Sequence, residues 1–370
     1  MYLIIPTIPN IEIATRLIHT EILSPAFGLM IFGVLIAVHE FGHFLAAKLC
    51  GVKVNEFSVG MGPAIWKRQK GETLYALRGI PLGGYCAMEG EDGDSEDPRA
   101  FTSQNVWKRL LILCAGSFNN FLLGILIIVF LYLGAGAFLS PTIDSFLDGC
   151  PYEGADALQV GDRFVKINGK RVYQYYDVGD LLRDGDGVYD LVLIRDGKTV
   201  RLKDFEMTPR QYEGQDRELF GFNFGYEEAT FPVKLRHTWN TAMEFGRMVW
   251  VSLRMLVNGE VGLKEMSGPV GIVELMAETG ENAESVSDGV FDILYLAAFI
   301  AINLAIMNML PIPALDGGRV FLLLVSTVIC AVTGKKMNPK YEGYIHAAGM
   351  VLLLTLMAVI MFQDIFKIFQ

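Results

Sequence analysis

The chain has 370 residues, of which 52% are hydrophobic and only 19% are charged, and its mean hydropathy is +0.36. Soluble domains carry about 25% charged residues, so this balance favours a membrane protein and excludes an intrinsically disordered chain. The net charge of −10 argues against nucleic-acid binding, and five scattered cysteines exclude a disulfide framework or a cysteine zinc site.

Four apolar stretches are long enough to cross a membrane, because a helix needs about 20 residues to span the hydrocarbon. A fifth apolar run, Val320 to Thr333, is short enough to be a buried or half-inserted helix. The four predicted spans are Ile22 to Leu49, Leu110 to Ile143, Ile293 to Leu315 and Tyr344 to Gln363.

Basic residues in the short loops predict the orientation, because cytoplasmic loops carry an excess of Lys and Arg. The segment from Lys48 to Arg109 holds nine of them and the loop from Gly334 to Glu342 holds three, so both are expected to be cytoplasmic. Both termini and the long segment 144–286 are then expected on the outer side. No cleavable signal peptide is evident between Met1 and Ser24.

The outer segment has the pattern of a soluble module, in which short β-type runs alternate with hairpin turn pairs. Residues 208–230 are expected to form a connecting loop and a strand. From Phe231 to Asn258 large apolar residues recur at helical spacing, which predicts a helix on the module or on the membrane surface. The runs are Arg163 to Ile167, Tyr189 to Arg195 and Thr199 to Phe205, and the turn pairs are Asn168-Gly169 and Asp196-Gly197.

The most specific motif is H-E-x-x-H at His39 to His43, inside the first predicted span. Residues four apart share one face of a helix, so both imidazoles can reach one metal ion while Glu40 holds the attacking water. A proton relay or a polar contact between helices is the alternative. A glutamate inside a span is costly without a partner, and a metal ion is an evident partner.

A catalytic zinc ion needs three protein ligands and one open position. Asp316 is the candidate third ligand, because it closes an uncharged run in which Pro311 and Pro313 break the helix. Backbone freed at membrane depth is tolerated only inside protein or beside a wet cavity. The alternative is that Asp316 caps the helix that starts near Val320.

With these motifs the chain resembles the bacterial site-2 proteases, which are zinc-dependent intramembrane metalloproteases that also carry a PDZ domain. The resemblance covers nearly the whole chain. In that family H-E-x-x-H lies in the first span and N-x-x-P-x-P-x-L-D-G lies in the third. Here every fixed position is matched by His39 to His43 and by Asn308 to Gly317.

The resemblance implies a role for each matched residue. His39, His43 and Asp316 would bind Zn²⁺, and Glu40 would be the general base. Asn308 would help to hold the substrate backbone.

Further residues are assigned to substrate binding by the same resemblance. Gly60 and Gly62 match a G-x-G-P segment that opens a β-hairpin dipping into the membrane beside the active site. Pro311 and Pro313 are also assigned to substrate binding, because they belong to the third-span motif. Because a helical substrate must unwind, we expect the hairpin, built from residues 52–85, to offer it a strand edge.

Two regions depart from a simple match or carry no clear role. Asn120 fits an asparagine of the family's second span, but the Gly-Pro that usually precedes it is Gly116-Ser117 here. The acidic run 89–97 lacks the spacing of an EF-hand, so a solvated cytoplasmic loop is expected there.

Residues 149–170 are similar to the PDZ domains of bacterial proteases, and only one such domain fits between the spans. The expected fold is therefore a multi-pass α-helical membrane protein with four transmembrane helices, a membrane-dipping β-hairpin and an inserted extracytoplasmic PDZ-like α+β domain. The expected parts are an N-terminal membrane half at 1–143, the PDZ-like domain at 144–207, a linker and amphipathic helix at 208–286, and a C-terminal membrane half at 287–370.

The function implied by the resemblance is that of a zinc metalloendopeptidase in the bacterial cell membrane. It would cleave the transmembrane segments of single-span membrane proteins, such as anti-sigma factors or remnant signal peptides. The PDZ-like domain would bind an extracytoplasmic peptide or filter substrates by size. Nucleic acid is not an expected partner.

Two rival classes stay open from the residues alone. A zinc or proton transporter would also place His and carboxylates in its spans, although it usually shows repeated halves. A membrane scaffold that presents a PDZ domain would need neither H-E-x-x-H nor a broken third span. The effect of Glu40→Gln on bound zinc and on cleavage separates the three classes.

Overall fold

The computed structural model describes residues 23–91, 93, 95–215, 217–260, 262, 271–272, 275, 286–334 and 339–368. The N-terminal stretch 1–22, part of the basic loop 334–342 and part of the predicted linker 208–286 lie outside the described residues. The chain divides into two compact units. The β unit contains residues 129–244, and the membrane unit contains the described residues of 8–128 and 245–370.

The secondary structure runs in chain order through seven α-helices, one short 3₁₀ helix (Phe101–Ser103) and eight strands among the described residues. The helices are α1 (Leu23–Leu49), α2 (Val106–Leu133), α3 (Tyr175–Arg183), α4 (Phe231–Val257), α5 (Val286–Asn308), α6 (Asp316–Thr333) and α7 (Pro339–Ile368). The strands are β1 (Val54–Lys70), β2 (Thr73–Met88), β3 (Ala137–Phe146), β4 (Arg163–Ile167), β5 (Lys170–Arg171), β6 (Val188–Arg195), β7 (Lys198–Glu206) and β8 (Phe222–Glu228).

Five helices in the described part of the chain are long and apolar enough to cross a membrane. Four of them, α1, α2, α5 and α7, coincide with the predicted spans. The fifth, α6, begins at Asp316 and has 18 residues, so it is longer than the apolar run predicted from Val320. It ends at Gly334, whose φ of 70° is the left-handed conformation that closes many helices. The chain is a multi-pass membrane protein.

The helices of the membrane unit pack closely through small residues. Leu35 of α1 is buried in one cluster with Ala297 and Ala301 of α5. A Cβ on Gly124 of α2 would lie 2.6 Å from the Ile302 side chain, so only glycine permits this contact without a shift. These contacts bring α1, α2 and α5 together.

The predicted hairpin is confirmed as the antiparallel pair β1 and β2, which meet at Lys70 and Thr73. Both strands are long and bent, because residues 56–59 of β1 lie beside 84–87 and also beside 74–77 of β2. Gly60 and Gly62 form the bend, with φ angles of 85° and 79° that few other residues adopt. The hairpin is therefore a folded-over sheet.

The β unit is built on one sheet with strand order β7-β6-β4-β3-β8, to which β5 adds beside β4. Both predicted hairpin turns are confirmed, since Asn168-Gly169 and Asp196-Gly197 all have positive φ. Phe164, Leu191, Leu193 and other apolar side chains fill its core. The predicted helix from Phe231 is confirmed as α4.

The sheet takes strands from both sides of the predicted domain 144–207. Strand β3 starts at Ala137, so the uncharged run Leu110 to Ile143 is helix only as far as Leu133. Gly134 and Gly136 end the helix, and the alternating burial that follows belongs to a strand. Strand β8, from the predicted loop-and-strand segment 208–230, pairs with β3.

Candidate metal centre

Three side chains from two distant parts of the sequence converge in the membrane unit. Nε2 of His39 and Nε2 of His43 lie 3.2 Å apart. Oδ2 of Asp316 lies 3.1 Å from the first and 3.2 Å from the second. These three donor atoms thus form a nearly equilateral triangle, and both histidines are buried.

The hydrogen bond of the second histidine fixes its tautomer. Nδ1 of His43 lies 2.8 Å from the backbone carbonyl oxygen of Ile112, which can only accept, so Nδ1 carries the hydrogen. In the neutral imidazole, Nε2 of His43 then presents a lone pair towards Asp316. Lone pairs and a carboxylate that face one another repel unless a cation lies among them, so this arrangement fits a metal ion.

The dimensions fit zinc. Bonds of about 2.0–2.1 Å in a tetrahedral zinc site separate neighbouring ligand atoms by about 3.3 Å. The distances of 3.1–3.2 Å among the three donors match this value. Two imidazoles and one carboxylate also leave the fourth position of the tetrahedron to water or substrate, as a catalytic site requires.

Two glycines make room for the imidazoles between α1 and α2. A Cβ on Gly116 would lie 2.3 Å from Nε2 of His43 and 2.8 Å from Cε1 of His39. A Cβ on Gly42 would lie 2.4 Å from the Ala115 carbonyl oxygen. The helices therefore approach closely enough for α2 to form one wall of the centre.

The third donor stands at the first position of α6. Gly317 and Gly318 allow the preceding loop to fold back on this helix, since a Cβ on either would lie within 2.3 Å of backbone atoms of Met309 or Ile312. Asp316 is thus held by a close backbone contact that needs both glycines. This explains why the motif continues as Asp-Gly-Gly.

The loop between α5 and α6 contains Pro311 and Pro313 and is also fixed from α7. Ala314 has a φ of 82°, which is unfavourable for a residue with a side chain, and its N–H donates to Nδ1 of His346 over 3.3 Å. A Cβ on Gly349 would lie 2.3 Å from the Pro313 side chain, so α7 packs directly on the loop.

Glu40 lies beside strand β2, one residue after His39. A Cβ on Gly84 would lie 3.3 Å from Cγ of Glu40, and the backbone of Cys86 in the same strand lies near the Glu40 carboxylate. The hairpin therefore passes directly beside this side chain. A carboxylate so placed can accept a proton from a water molecule at the metal.

Asn120 is buried beside the first imidazole. Its Nδ2 lies 3.5 Å from Nδ1 of His39, while its Oδ1 has no hydrogen-bond partner. When Nε2 of His39 binds a metal, Nδ1 carries the hydrogen and needs an acceptor, so the amide oxygen is the atom expected to face it. In that orientation Asn120 would hold the ring of His39, a role that its position in the sequence alone did not reveal.

The remaining predicted site residues lie in the elements that surround the centre. Gly60 is buried at the bend of the hairpin and Gly62 is exposed next to it, where its carbonyl oxygen accepts from Nη1 of Arg78 over 2.6 Å. Asn308 is the last residue of α5. Sequence reasoning missed the roles of Gly42, Gly116 and His346, although the small-residue stretch around Gly116 was a usable signal.

Comparison with known proteins agrees with this centre. The sequence profile described as Peptidase family M50 matches residues 27–356. A protein of Clostridium acetobutylicum that is named as a zinc metalloprotease is 34% identical over 340 residues, which cover 91% of this chain and 96% of that protein. A similarly named protein of Clostridium perfringens is 33% identical over 343 residues, covering 92% and 97%.

A relative with a more specific name comes from Bacillus subtilis. The regulator of sigma-W protease RasP is 26% identical over 428 aligned positions, which cover 92% of this chain and 98% of RasP. The family profile spans both the segment of His39 and His43 and the segment of Asp316, so it covers both halves of the centre.

Proposed function

This chain belongs to peptidase family M50 and is an intramembrane zinc metalloprotease, and we propose that His39, His43 and Asp316 bind its zinc ion while Glu40 is the general base. The observation that supports the assignment is the triangle of donor atoms with sides of 3.1–3.2 Å. Bound zinc supplies a polarised water and a Lewis acid for the scissile carbonyl group.

Groups of the protein accept, return and position the protons of the reaction. Glu40, which lies beside strand β2 at Gly84, takes the proton of the attacking water and returns it to the leaving nitrogen of the peptide bond. Ile112 and Asn120 keep the two imidazoles in the tautomers that leave Nε2 free for the metal.

We propose four membrane crossings, with α5 and α6 sharing one interrupted crossing. Leu323 of α6 is buried with Cys50, Met88 and Ile112, at the ends of α1 and α2 that adjoin the basic segment 48–109. This packing favours a course of α6 towards the cytoplasm, and the basic loop 334–342 then also lies there. Both termini and the β unit are on the outer side in this topology.

We propose that the substrate pairs with the hairpin. Strand residues 84–88 pair with 54–59 on one side, and Gly84 lies beside Glu40 on the other. A substrate strand added there would place its peptide bonds next to the general base. Asn308, Pro311 and Pro313, in and beside the loop that carries Asp316, would complete the substrate site.

Gly60→Val tests the role of the hairpin. The Cβ would lie 2.8 Å from the Ile80 carbonyl oxygen at a φ of 85°, so the bend must change. Cleavage is expected to fall by about 10-fold or more with zinc retained. Gly79→Ala is the matched control, because the nearest atom to its Cβ is 3.7 Å away. Unchanged cleavage by Gly60→Val would refute the pairing.

The β unit would serve as the PDZ-like domain that the sequence predicts, binding an extracytoplasmic tail or excluding large ones. Because the Bacillus subtilis relative is named as a regulator of sigma-W, a membrane-anchored regulator of a sigma factor is the proposed substrate class. Remnant signal peptides are the other class. Both are single-span segments that have lost their outer part.

Glu40→Gln tests the whole proposal. The variant keeps the size of the side chain but cannot accept a proton, so zinc should stay bound while cleavage of a single-span substrate falls by about 10³-fold or more. Bound zinc is measured in the purified protein, and cleavage is followed with a trimmed and an untrimmed substrate. Equal cleavage by both proteins would exclude a protease in which Glu40 is the base.

A further inference from the structure

An ion pair joins the helix of the third metal ligand to the loop that follows the hairpin. Nη1 of Arg319, in the first turn of α6, donates to Oε1 of Glu91, and both side chains are largely shielded from solvent. Arg319 lies three residues after Asp316, so the two side chains leave nearly the same face of the helix. A contact that fixes Arg319 therefore also limits the rotation of α6 about its axis, and with it the direction of the Asp316 side chain.

Glu91 is itself fixed to the end of β2. Its Oε2 lies 3.4 Å from the backbone nitrogen of Met88, the last residue of that strand. The same strand carries Gly84 and Cys86 beside Glu40. The hairpin thus contacts the general base at one point and the helix of the third ligand at another.

The loop around Glu91 is organised by its neighbours and is not a free acidic tail. Asn55, Ser95 and Lys53 donate to the carboxylate of Glu89, and these hydrogen bonds lower the pKa of Glu89 to about 2. Because these side chains are already held by hydrogen bonds, a side chain that pairs with this part of the loop loses less conformational entropy. The expectation of a solvated cytoplasmic loop at 89–97 stays a prediction.

We propose that the Glu91–Arg319 ion pair is a positioning device that sets the rotation of α6 and so places Asp316 on the metal, an inference that rests on the function proposed above. The two histidines need no such device, because they lie one turn apart on one helix. Asp316 comes from a separate helix that follows a broken loop, so its alignment depends on contacts of this kind. Neither Arg319 nor Glu91 belongs to the group of donor atoms at the centre.

Charge reversal and charge exchange test the pair. Glu91→Arg and Arg319→Glu should each lower the affinity for zinc by about 10-fold or more, and cleavage in proportion, as expected for the loss of an outer contact of a ligand. The double variant, which restores opposite charges, should recover most of both. Zinc retention is measured on the purified full chain during dialysis against a chelator, and cleavage with a trimmed single-span substrate.

Arg99→Glu is the matched control. Arg99 is exposed, and its ion-pair partners among the described residues are Glu72 and Asp97 of the same segment, not a residue of α6. Its reversal should change neither zinc affinity nor cleavage. Single reversals that behave like this control would overturn the proposal, and so would a double variant no better than the single ones.

Zinc retention keeps this test separate from the proposed protease activity. If the wild type binds zinc but cleaves no substrate, the protease assignment fails while the zinc measurements still decide the role of the pair. A conservative change, Arg319→Lys, should retain zinc better than Arg319→Glu, because it keeps the charge and loses only the guanidinium geometry.

Discussion

One polar cluster of the membrane unit and one of the β unit satisfy their polar groups in opposite ways. At the centre of the membrane unit, His39, His43 and Asp316 turn their electron pairs towards one another, which is stable only around a cation. In the β unit, Asp162 is wholly buried and accepts two bonds of 2.7 Å from Arg195. The described residues leave the lone pairs and charge of the first cluster uncompensated, whereas Arg195 compensates the charge of Asp162.

The same contrast holds for other buried groups. Asp177 accepts from the backbone N–H groups of Tyr173 and Gln174, over 2.6 and 2.9 Å, at the start of α3. Glu227 lies 2.6 Å from His237. Burial of a polar side chain therefore indicates a function only when its partners within the chain leave its charge or lone pairs uncompensated.

The largest effect is expected from a substitution that fills the space beside the two imidazoles of the metal centre. Gly116→Ala adds one methyl group that would lie 2.3 Å from Nε2 of His43, so the imidazole must move off the metal. Cleavage should fall by about 100-fold or more, and bound zinc should fall with it. Both quantities are measured on the purified protein.

Gly134→Ala is the control for that prediction, because no atom lies within 4 Å of its Cβ at the end of α2. It should behave as the wild type. If Gly116→Ala retained zinc and cleavage, the close packing of α2 on the imidazoles would not be needed for the centre, and the contrast between the two units would weaken.

In both units the sequence predicted the local features. The donors His39 and His43 follow from helical spacing, and the hairpin turns Asn168-Gly169 and Asp196-Gly197 follow from local turn chemistry. Such signals act over a few residues, so a single sequence displays them. The strands of the β unit between residues 163 and 205 were accordingly predicted to within one or two residues.

Features that depend on distant contacts were not predictable in this way. The small-residue stretch around Gly116 indicates close packing, but it does not indicate that two imidazoles from another helix will occupy that space. The pairing of β8 with β3 joins segments about 80 residues apart, and the uncharged run hid the change from α2 to β3 at Gly134. Hydropathy reports burial or lipid contact, and it does not distinguish a helix from a strand in a continuous apolar run.

A smaller effect on catalysis is expected when the Asp162–Arg195 ion pair of the β unit is broken. Asp162→Asn removes the charge that compensates the guanidinium of Arg195, so the β unit should lose about 3 kcal/mol of stability. Limited proteolysis of the full chain should then cut within 137–228 at a lower protease concentration, while bound zinc and cleavage of a trimmed substrate change less than about 2-fold. Asp180→Asn, in an exposed pair with Arg183, should alter neither. Loss of zinc in Asp162→Asn would mean that this ion pair supports the metal centre as well as its own unit.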